Sequence, residues 1–150
     1  MSMKRAIERI ALADARRFEE RMRGLQEKIL EKCDDAATRR ILKDLIAEED
    51  EHLRRLDQVS APESRSKIEK RPELRGRTVR EMLTEILEME KAAVAFYDLL
   101  AERTAVPAFR ELFRGLAAAE RRHEACLAEH VRNVLPSSPW QKSFGLRAVL

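Results

Sequence analysis

The sequence contains few of the residues that end helices or build sheets. Among its 150 residues are 4 Gly and 5 Pro, and aromatic residues make up 5%. Ala, Leu, Glu, Arg and Lys dominate instead, a composition that favours long helices. With 44% hydrophobic residues, a chain of this length can bury one core, so we expect a single all-α domain.

Cysteines and long apolar runs are also scarce, which excludes further classes of protein. The two cysteines, Cys33 and Cys126, form no C-x-x-C pair, so an iron–sulfur or rubredoxin-type centre within the chain is excluded. We expect each to pack as an ordinary side chain. No uninterrupted apolar run approaches the ~18 residues of a membrane span, and no signal-like segment is present at the N-terminus. We therefore expect no membrane partner and a cytoplasmic location.

Charge of one sign is not in excess either. The 30 basic and 27 acidic residues are interleaved and leave a net charge of +3, which is typical of helix surfaces laced with salt bridges. The most basic stretch, residues 65–80, still contains Glu69 and Glu73 and is interpreted as a solvated linker. We therefore expect no nucleic-acid partner.

An internal repeat is the most informative pattern in the chain. The second half matches the first with an offset of 71 residues, so that Glu19 falls on Glu90. Other matched pairs are Leu42 with Phe113, Leu45 with Leu116, Glu49 with Glu120 and His52 with His123. The two halves are therefore expected to adopt the same local structure.

Each repeat is predicted to form a helix hairpin. Apolar residues recur at three- and four-residue spacing on both sides of a short break, near position 34 in one repeat and near position 105 in the other. Thr78 followed by Glu81 predicts a capping box at the third helix, and Pro136 predicts the end of the fourth. The four predicted helices span residues 4–32, 36–58, 79–103 and 107–134.

The segment between the hairpins is predicted to be a long crossover. Residues 59–78 are rich in Pro, Ser and charge and show no apolar period. About 20 extended residues reach beyond ~60 Å, whereas a helix of ~23 residues is about 35 Å long. We therefore expect residues 1–135 to form one four-helix bundle, with hairpins 4–58 and 79–134. Residues 136–150, which contain Trp140, are a C-terminal tail that packs on the bundle or on a partner.

Hairpin geometry predicts that four glutamates share one level of this bundle. Glu19 and Glu49 are each 15 residues from position 34, and Glu90 and Glu120 are each 15 from position 105. Each also lies on the apolar face of its helix. Two histidines, His52 and His123, follow a glutamate by three residues, which places imidazole and carboxylate one turn apart on the same face. All six side chains are therefore expected to converge.

Four buried carboxylates without a counter-charge would be costly, because desolvation and mutual repulsion both oppose their ionisation. Two divalent cations supply +4 against −4, and the inward stripes carry no obvious lysine or arginine at this level. The predicted metal ligands are Glu19, Glu49, His52, Glu90, Glu120 and His123. Carboxylates with imidazoles suit iron, with manganese as the alternative, so two Fe ions per chain are expected.

Three stretches resemble the metal-binding helices of the rubrerythrin branch of the ferritin-like superfamily. They are residues 45–52 (LIAEEDEH), 90–97 (EKAAVAFY) and 116–123 (LAAAERRH). The resemblance covers roughly residues 4–134 and implies a ferritin-like four-helix bundle with a di-iron site. It implies that Glu49 and Glu120 bridge the ions, that Glu19 with His52 and Glu90 with His123 are outer ligands, and that Tyr97 lies near the metals. There Tyr97 would donate a hydrogen bond or an electron; a core tyrosine with a satisfied hydroxyl is the alternative.

The sequence departs from the family pattern in three respects. Gln26 stands at the first-repeat counterpart of Tyr97, so a tyrosine role is one-sided. Position 93 is Ala, where rubrerythrin carries an additional carboxylate, which removes the basis for its redox-linked ligand exchange. A rubredoxin domain is absent from the sequence, so peroxidase turnover would need an external electron donor.

Three functions are compatible with this pattern. The leading hypothesis is a redox-active di-iron protein that oxidises Fe(II) with oxygen or hydrogen peroxide, in iron handling or oxidative-stress defence. The second is a non-catalytic iron-binding, storage or assembly module, and the third is a helical interaction scaffold with a vestigial site. In each case a homodimer or larger homo-oligomer is expected, since long bundles expose apolar edges.

Overall fold

The described part of the chain folds into four long helices. The computed structural model describes residues 3–59 and 73–133, and 90% of this part of the chain is helical with no strand. The helices are α1 (Met3–Lys32), α2 (Ala36–Val59), α3 (Val79–Arg103) and α4 (Pro107–Asn133). The prediction of an all-α four-helix bundle is therefore confirmed. The predicted end of the fourth helix at Pro136 and the C-terminal tail lie outside the described residues.

Local hydrogen bonds define where the helices begin. At α2, the Asp35 carboxylate accepts from the Thr38 backbone N–H at 2.7 Å, which satisfies one of the free amides of the first turn. At α3, Thr78 and Glu81 form the predicted capping box, each side chain accepting from the other residue's backbone N–H. Helix α4 begins with Pro107, whose missing N–H has no cost at the first helical position.

The two hairpins, α1–α2 and α3–α4, pack against each other through α1 with α3 and through α2 with α4. Among residues 3–59 and 73–133, two apolar clusters fill the interior. The first cluster unites the start of α1 and the end of α2 with the end of α3 and the start of α4; its buried members are Leu12, Ala15, Leu56, Ala93, Tyr97, Ala101, Leu112, Phe113, Leu116 and Ala117. The second cluster lies at the other end; its buried members are Met22, Leu25, Ile29, Leu42, Leu45, Met82, Leu83, Ile86 and Leu127.

The clusters also show how the hairpins are connected. Leu56, near the end of α2, belongs to the first cluster, whereas Met82, near the start of α3, belongs to the second. Helix α2 therefore ends at one end of the bundle and α3 begins at the other, as a lengthwise crossover requires. Residues 60–72, which form most of the predicted crossover, lie outside the described part of the chain.

The two cysteines differ in environment. Cys33 is buried at 2% exposure beside the α1–α2 turn, as expected. The packing predicted for Cys126 is wrong, because this side chain is exposed: it precedes Leu127, which occupies the inward face of α4. None of the described helices is long and apolar enough to cross a membrane.

Candidate metal centre

One glutamate from each helix is buried between the two apolar clusters. Glu19, Glu49 and Glu90 are 0% exposed, and Glu120 is 1% exposed. They lie inward because each occupies the same helix stripe as core residues one turn away, such as Ala15 and Met22 around Glu19. The level that hairpin geometry predicts for the four carboxylates is thus the level at which the structure places them.

His52 lies among three of these carboxylates. Its Nδ1 is 3.1 Å from Glu19 Oε2, 3.1 Å from Glu49 Oε2 and 3.1 Å from Glu120 Oε1. One partner comes from its own helix, one from the other helix of its hairpin and one from the second hairpin. The imidazole therefore connects three helices at a single nitrogen.

His123 repeats this arrangement on α4. Its Nδ1 is 3.1 Å from Glu120 Oε2, 3.5 Å from Glu49 Oε1 and 3.8 Å from Glu90 Oε2. The ring centroids of His52 and His123 are 5.5 Å apart, with an interplanar angle of 22°. The site thus follows the internal repeat, with one histidine from each half stacked on the other.

The six side chains form two overlapping groups with metal-ligand spacing. One group is Glu19, Glu49, His52 and Glu120; the other is Glu49, Glu90, Glu120 and His123. In each group the ligand atoms lie within 4.8 Å of one another. Glu49 and Glu120 belong to both groups, which is the sharing that carboxylates between two ions require.

Two uncharged polar side chains complete the buried site. The Tyr97 hydroxyl donates to Glu19 Oε1, and the Gln26 amide donates to Glu49 Oε1 at 3.0 Å. Both residues are 0% exposed. Gln26 and Tyr97 are equivalent under the repeat, but Tyr97 contacts Glu19, which belongs to one ligand group, and Gln26 contacts Glu49, which belongs to both. The two halves of the site therefore differ at these positions.

A third, partly exposed residue reaches the outer edge of the site. Glu48 Oε2 lies 2.9 Å from His123 Nε2, and the Glu48 side chain is 48% exposed. Glu48, His52 and His123 also form a group with metal-ligand spacing. The two ring nitrogens of His123 thus have different neighbours: Nδ1 faces the buried glutamates and Nε2 faces Glu48.

In the absence of metal, protons offset the negative charge of the site. Burial raises the pKa of Glu19 to about 8, against an opposing hydrogen bond from His52, and burial likewise raises the pKa of Glu90 well above its usual value. Burial opposes protonation of the histidines, but hydrogen bonds with the glutamates raise the pKa of His52 to about 12 and of His123 to about 11. The metal-free site therefore retains protons on its glutamates and histidines that its residues would otherwise release near neutral pH.

Glu120 behaves in the opposite way. Burial opposes its ionisation, but hydrogen bonds from His123 and His52 outweigh this effect and lower its pKa. The Tyr97 hydroxyl keeps its proton, because burial first and the charge of Glu19 second raise its pKa well above the usual value. Glu120 is therefore ionised at neutral pH, while Tyr97 acts as a hydrogen-bond donor.

The donor set fits divalent metal ions. Neither carboxylate oxygen of Glu90 has a hydrogen-bond partner among the described residues, and a buried acceptor of this kind costs about 1–3 kcal/mol or more when charged. No described lysine or arginine is buried that could neutralise the glutamates. Four carboxylates and two imidazoles match the ligand preference of iron or manganese.

The structure brings together all six residues predicted for this site, and two further side chains, Gln26 and Glu48, contact it. The sequence marks Gln26 only as the counterpart of Tyr97, and its hydrogen bond to Glu49 depends on a rotamer that periodicity does not predict. Glu48 differs from its repeat counterpart, Ala119, and lies beside the apolar stripe of α2 rather than on it. That difference from Ala119 was the available signal, because it marks a place where the two halves are not interchangeable.

A comparison with protein families agrees with this geometry. The family model described as Rubrerythrin matches residues 81–139, which is less than half of the chain and includes Glu90, Glu120 and His123. No curated protein and no solved structure matches the chain. Together with the four-helix bundle, the family match supports a rubrerythrin-type ferritin-like protein. Together with the carboxylate–histidine cluster, it supports a protein of di-iron type.

Proposed function

We propose that this rubrerythrin-type bundle binds two iron ions per chain and is an oxidoreductase of the ferroxidase or peroxidase type. Its partners are Fe(II) and either oxygen or hydrogen peroxide, and its role is in iron handling or oxidative-stress defence. The observation that carries the proposal is the overlap of the two four-residue groups at Glu49 and Glu120. A single ion would leave one histidine and one glutamate of this symmetric set without a role.

The ligand set divides naturally between two ions. Glu19 with His52 belongs to one group only, and Glu90 with His123 belongs to the other only. Glu49 and Glu120 would serve both ions. Manganese is the alternative metal, because its preference for carboxylate and imidazole ligands is close to that of iron.

Bound iron would supply the redox chemistry, since each Fe(II) can release one electron and two electrons with two protons reduce hydrogen peroxide to water. The protein supplies the surroundings. Leu56 and Leu116 on one side of the site and Leu45 and Leu83 on the other are buried core residues. They keep bulk water away from the ligands, which strengthens every electrostatic interaction at the site.

Tyr97 and Gln26 would orient the carboxylates. The Tyr97 hydroxyl holds a proton at Glu19 Oε1, which leaves Oε2 of the same carboxylate facing His52. Gln26 donates to Glu49 Oε1, while Oε2 of this shared glutamate faces His52. We propose that these bonds limit the rotamers open to the carboxylates and so preorganise the ligands.

The residue one turn along α3 from Glu90 limits which ligands the metal ions could exchange during turnover. Ala93, one turn along α3 from Glu90, is 0% exposed and contributes no carboxylate. A change of ligand at this place is therefore not part of the proposed reaction. Electrons for repeated turnover would come from an external donor.

The proposal is tested by anaerobic loading of the metal-free protein with Fe(II), followed by oxygen or hydrogen peroxide in separate experiments. The expected result is a ferric absorption band from stoichiometric Fe(II) oxidation, with the faster oxidant identifying the reaction type. The matched control is Glu49→Gln, which keeps the volume and removes one shared carboxylate. It should slow the reaction and lower the number of bound ions.

Each other outcome supports an alternative. Two bound Fe(II) ions that react with neither oxidant would favour a binding or assembly module, and uptake of many more ions per chain would favour storage. If no metal binds, the result would favour a helical interaction scaffold with a vestigial site. The oligomeric state is a separate prediction, which light scattering coupled to size-exclusion chromatography measures directly.

A further inference from the structure

Beyond the six converging side chains, one half-exposed carboxylate contacts the outer edge of the site. Glu48 Oε2 lies 2.9 Å from Nε2 of His123, at a distance typical of a hydrogen bond. Glu48 is on α2 and His123 is on α4, so this contact joins the two hairpins. Glu48 is the residue before Glu49 and points to the side of the bundle, where its side chain is 48% exposed.

The internal repeat makes this contact one-sided. Under the 71-residue offset the counterpart of Glu48 is Ala119, which is buried at 2% exposure. An alanine at that place can accept no hydrogen bond from the outer nitrogen of His52. Although a nitrogen of His52 lies within 4.8 Å of a Glu48 oxygen, the hydrogen bond of Glu48 is to His123.

Which nitrogen of a neutral imidazole can bind a metal ion depends on which nitrogen carries the proton. When Nε2–H donates to Glu48, the neutral ring has its lone pair on Nδ1. In His123 that nitrogen faces Glu120, Glu49 and Glu90 at 3.1, 3.5 and 3.8 Å. A metal ion among these carboxylates takes the place of the Nδ1 proton, and it meets a ring that the hydrogen bond from Nε2 to Glu48 already holds in the right orientation.

We propose that Glu48 is a positioning residue for His123 and makes the two metal positions unequal. This inference rests on the proposed function, because it requires that both groups bind an ion. The position formed by Glu90 and His123 has an oriented imidazole and binds its ion more tightly with Glu48 than without it. The position formed by Glu19 and His52 does not depend on Glu48.

The test compares Glu48→Ala and Glu48→Gln with Asp44→Ala in the metal-free full-length protein. Asp44 is an exposed carboxylate one turn earlier on α2, so its removal reproduces the charge change without touching His123. Zn(II) titration followed by native mass spectrometry gives the two dissociation constants. Long-range proton–nitrogen NMR spectra of the histidine rings show which imidazole binds at each step.

The expected result for Glu48→Ala is loss of about 10- to 100-fold in affinity for one of the two ions. At one equivalent of Zn(II), the His52 ring should show metal-bound nitrogen shifts and the His123 ring should not. The Nε2 proton of His123, protected in the wild type, should exchange faster. Glu48→Gln should restore most of the affinity, since the amide oxygen can still accept, and Asp44→Ala should match the wild type.

Each remaining outcome has a defined meaning. If the wild type binds fewer than two ions, the proposed function fails and this inference fails with it. If the wild type binds two and Glu48→Ala binds both with unchanged constants, the positioning role alone is overturned. Equal losses in Glu48→Ala and Asp44→Ala, or loss of both ions in Glu48→Ala, would also overturn it, since neither is specific to His123.

Discussion

His52 and His123 stack with their ring centroids 5.5 Å apart, and each turns its Nδ1 toward the same two glutamates, Glu49 and Glu120. The distances are 3.1 Å for both glutamates from His52 and 3.5 and 3.1 Å from His123. One histidine belongs to each hairpin. The relationship means that the two halves of the chain meet at a shared pair of carboxylates.

Because Glu120 belongs to both ligand groups and Glu19 to only one, substitutions of these two glutamates should affect metal binding differently. Glu120→Gln should weaken both ions, because Glu120 belongs to both ligand groups, whereas Glu19→Gln should weaken one ion and leave the other near wild-type affinity. The expected loss for each affected ion is at least tenfold. Native mass spectrometry of proteins titrated with Mn(II) or Zn(II) counts the ions directly. Identical binding curves for the two variants would show that the groups do not overlap functionally.

The stability of the metal-free protein should fall as pH rises. The pKa of Glu19 is raised from its usual 4.5 to about 8, so from pH 4.5 to about 8 the folded state retains a proton that the unfolded chain has released. Stability then decreases with rising pH in this window. The raised pKa values of His52 and His123 act in the same direction above pH 6.5, the usual value.

This dependence is measured by urea unfolding of the metal-free protein across that range. Glu19→Gln removes one of the proton-linked groups and should make the slope between pH 4.5 and 8 shallower. Metal requires deprotonated ligands, so the stabilisation that Zn(II) provides should grow as pH rises. A metal-free protein whose stability increases from pH 5 to 8 would contradict the charge distribution described above.

Tyr97→Phe should reduce stability through the buried site. The substitution removes the hydroxyl that donates to Glu19 and leaves that carboxylate oxygen without this partner. A loss of about 1–3 kcal/mol is expected in the metal-free protein, which is the usual cost of an unsatisfied buried group. Chemical denaturation with and without Zn(II) measures it. The metal should offset part of the loss, whereas a packing defect would cost the same in both forms.

A second buried network joins the hairpins away from the candidate metal centre. Thr38 Oγ1 donates to Asp35 at 2.7 Å and lies 2.7 Å from His130 Nε2 on α4, and Thr38 is 0% exposed. Thr38→Val should cost about 1–3 kcal/mol, because it leaves the buried His130 nitrogen unpaired. The control is Thr84→Val on exposed α3 surface, where a change within about 0.5 kcal/mol is expected. Equal effects of the two substitutions would mean that the link contributes nothing specific.

Much of this architecture follows from regularities that are visible in the sequence. The apolar period predicts the four helices, and the 71-residue repeat with two turns places Glu19, Glu49, Glu90 and Glu120 at one level. The same regularity hides Glu48, because a repeat describes what the halves share, whereas Glu48 and Ala119 differ. The repeat shows that Gln26 stands where the second half has Tyr97, but the hydrogen bond of Gln26 to Glu49 depends on packing in three dimensions.

Cys126 illustrates the limit of residue-type preferences. Cysteines are commonly buried, yet helix phase decides the exposure of this one: Leu127 takes the inward position and Cys126 faces out. His130 is the opposite case, a polar side chain that is buried. It has no glutamate three residues before it, and its burial against Thr38 could be recognised only when the two hairpins were seen packed together.

Binding of two iron ions between these helices can be observed by anomalous scattering from crystals of the protein loaded anaerobically with Fe(II), measured at the iron absorption edge. Two peaks per chain are expected between the six side chains, one beside Glu19 and His52 and one beside Glu90 and His123, with Glu49 and Glu120 contacting both. A single peak, or peaks only at the protein surface while these six side chains contact no ion, would contradict this expectation.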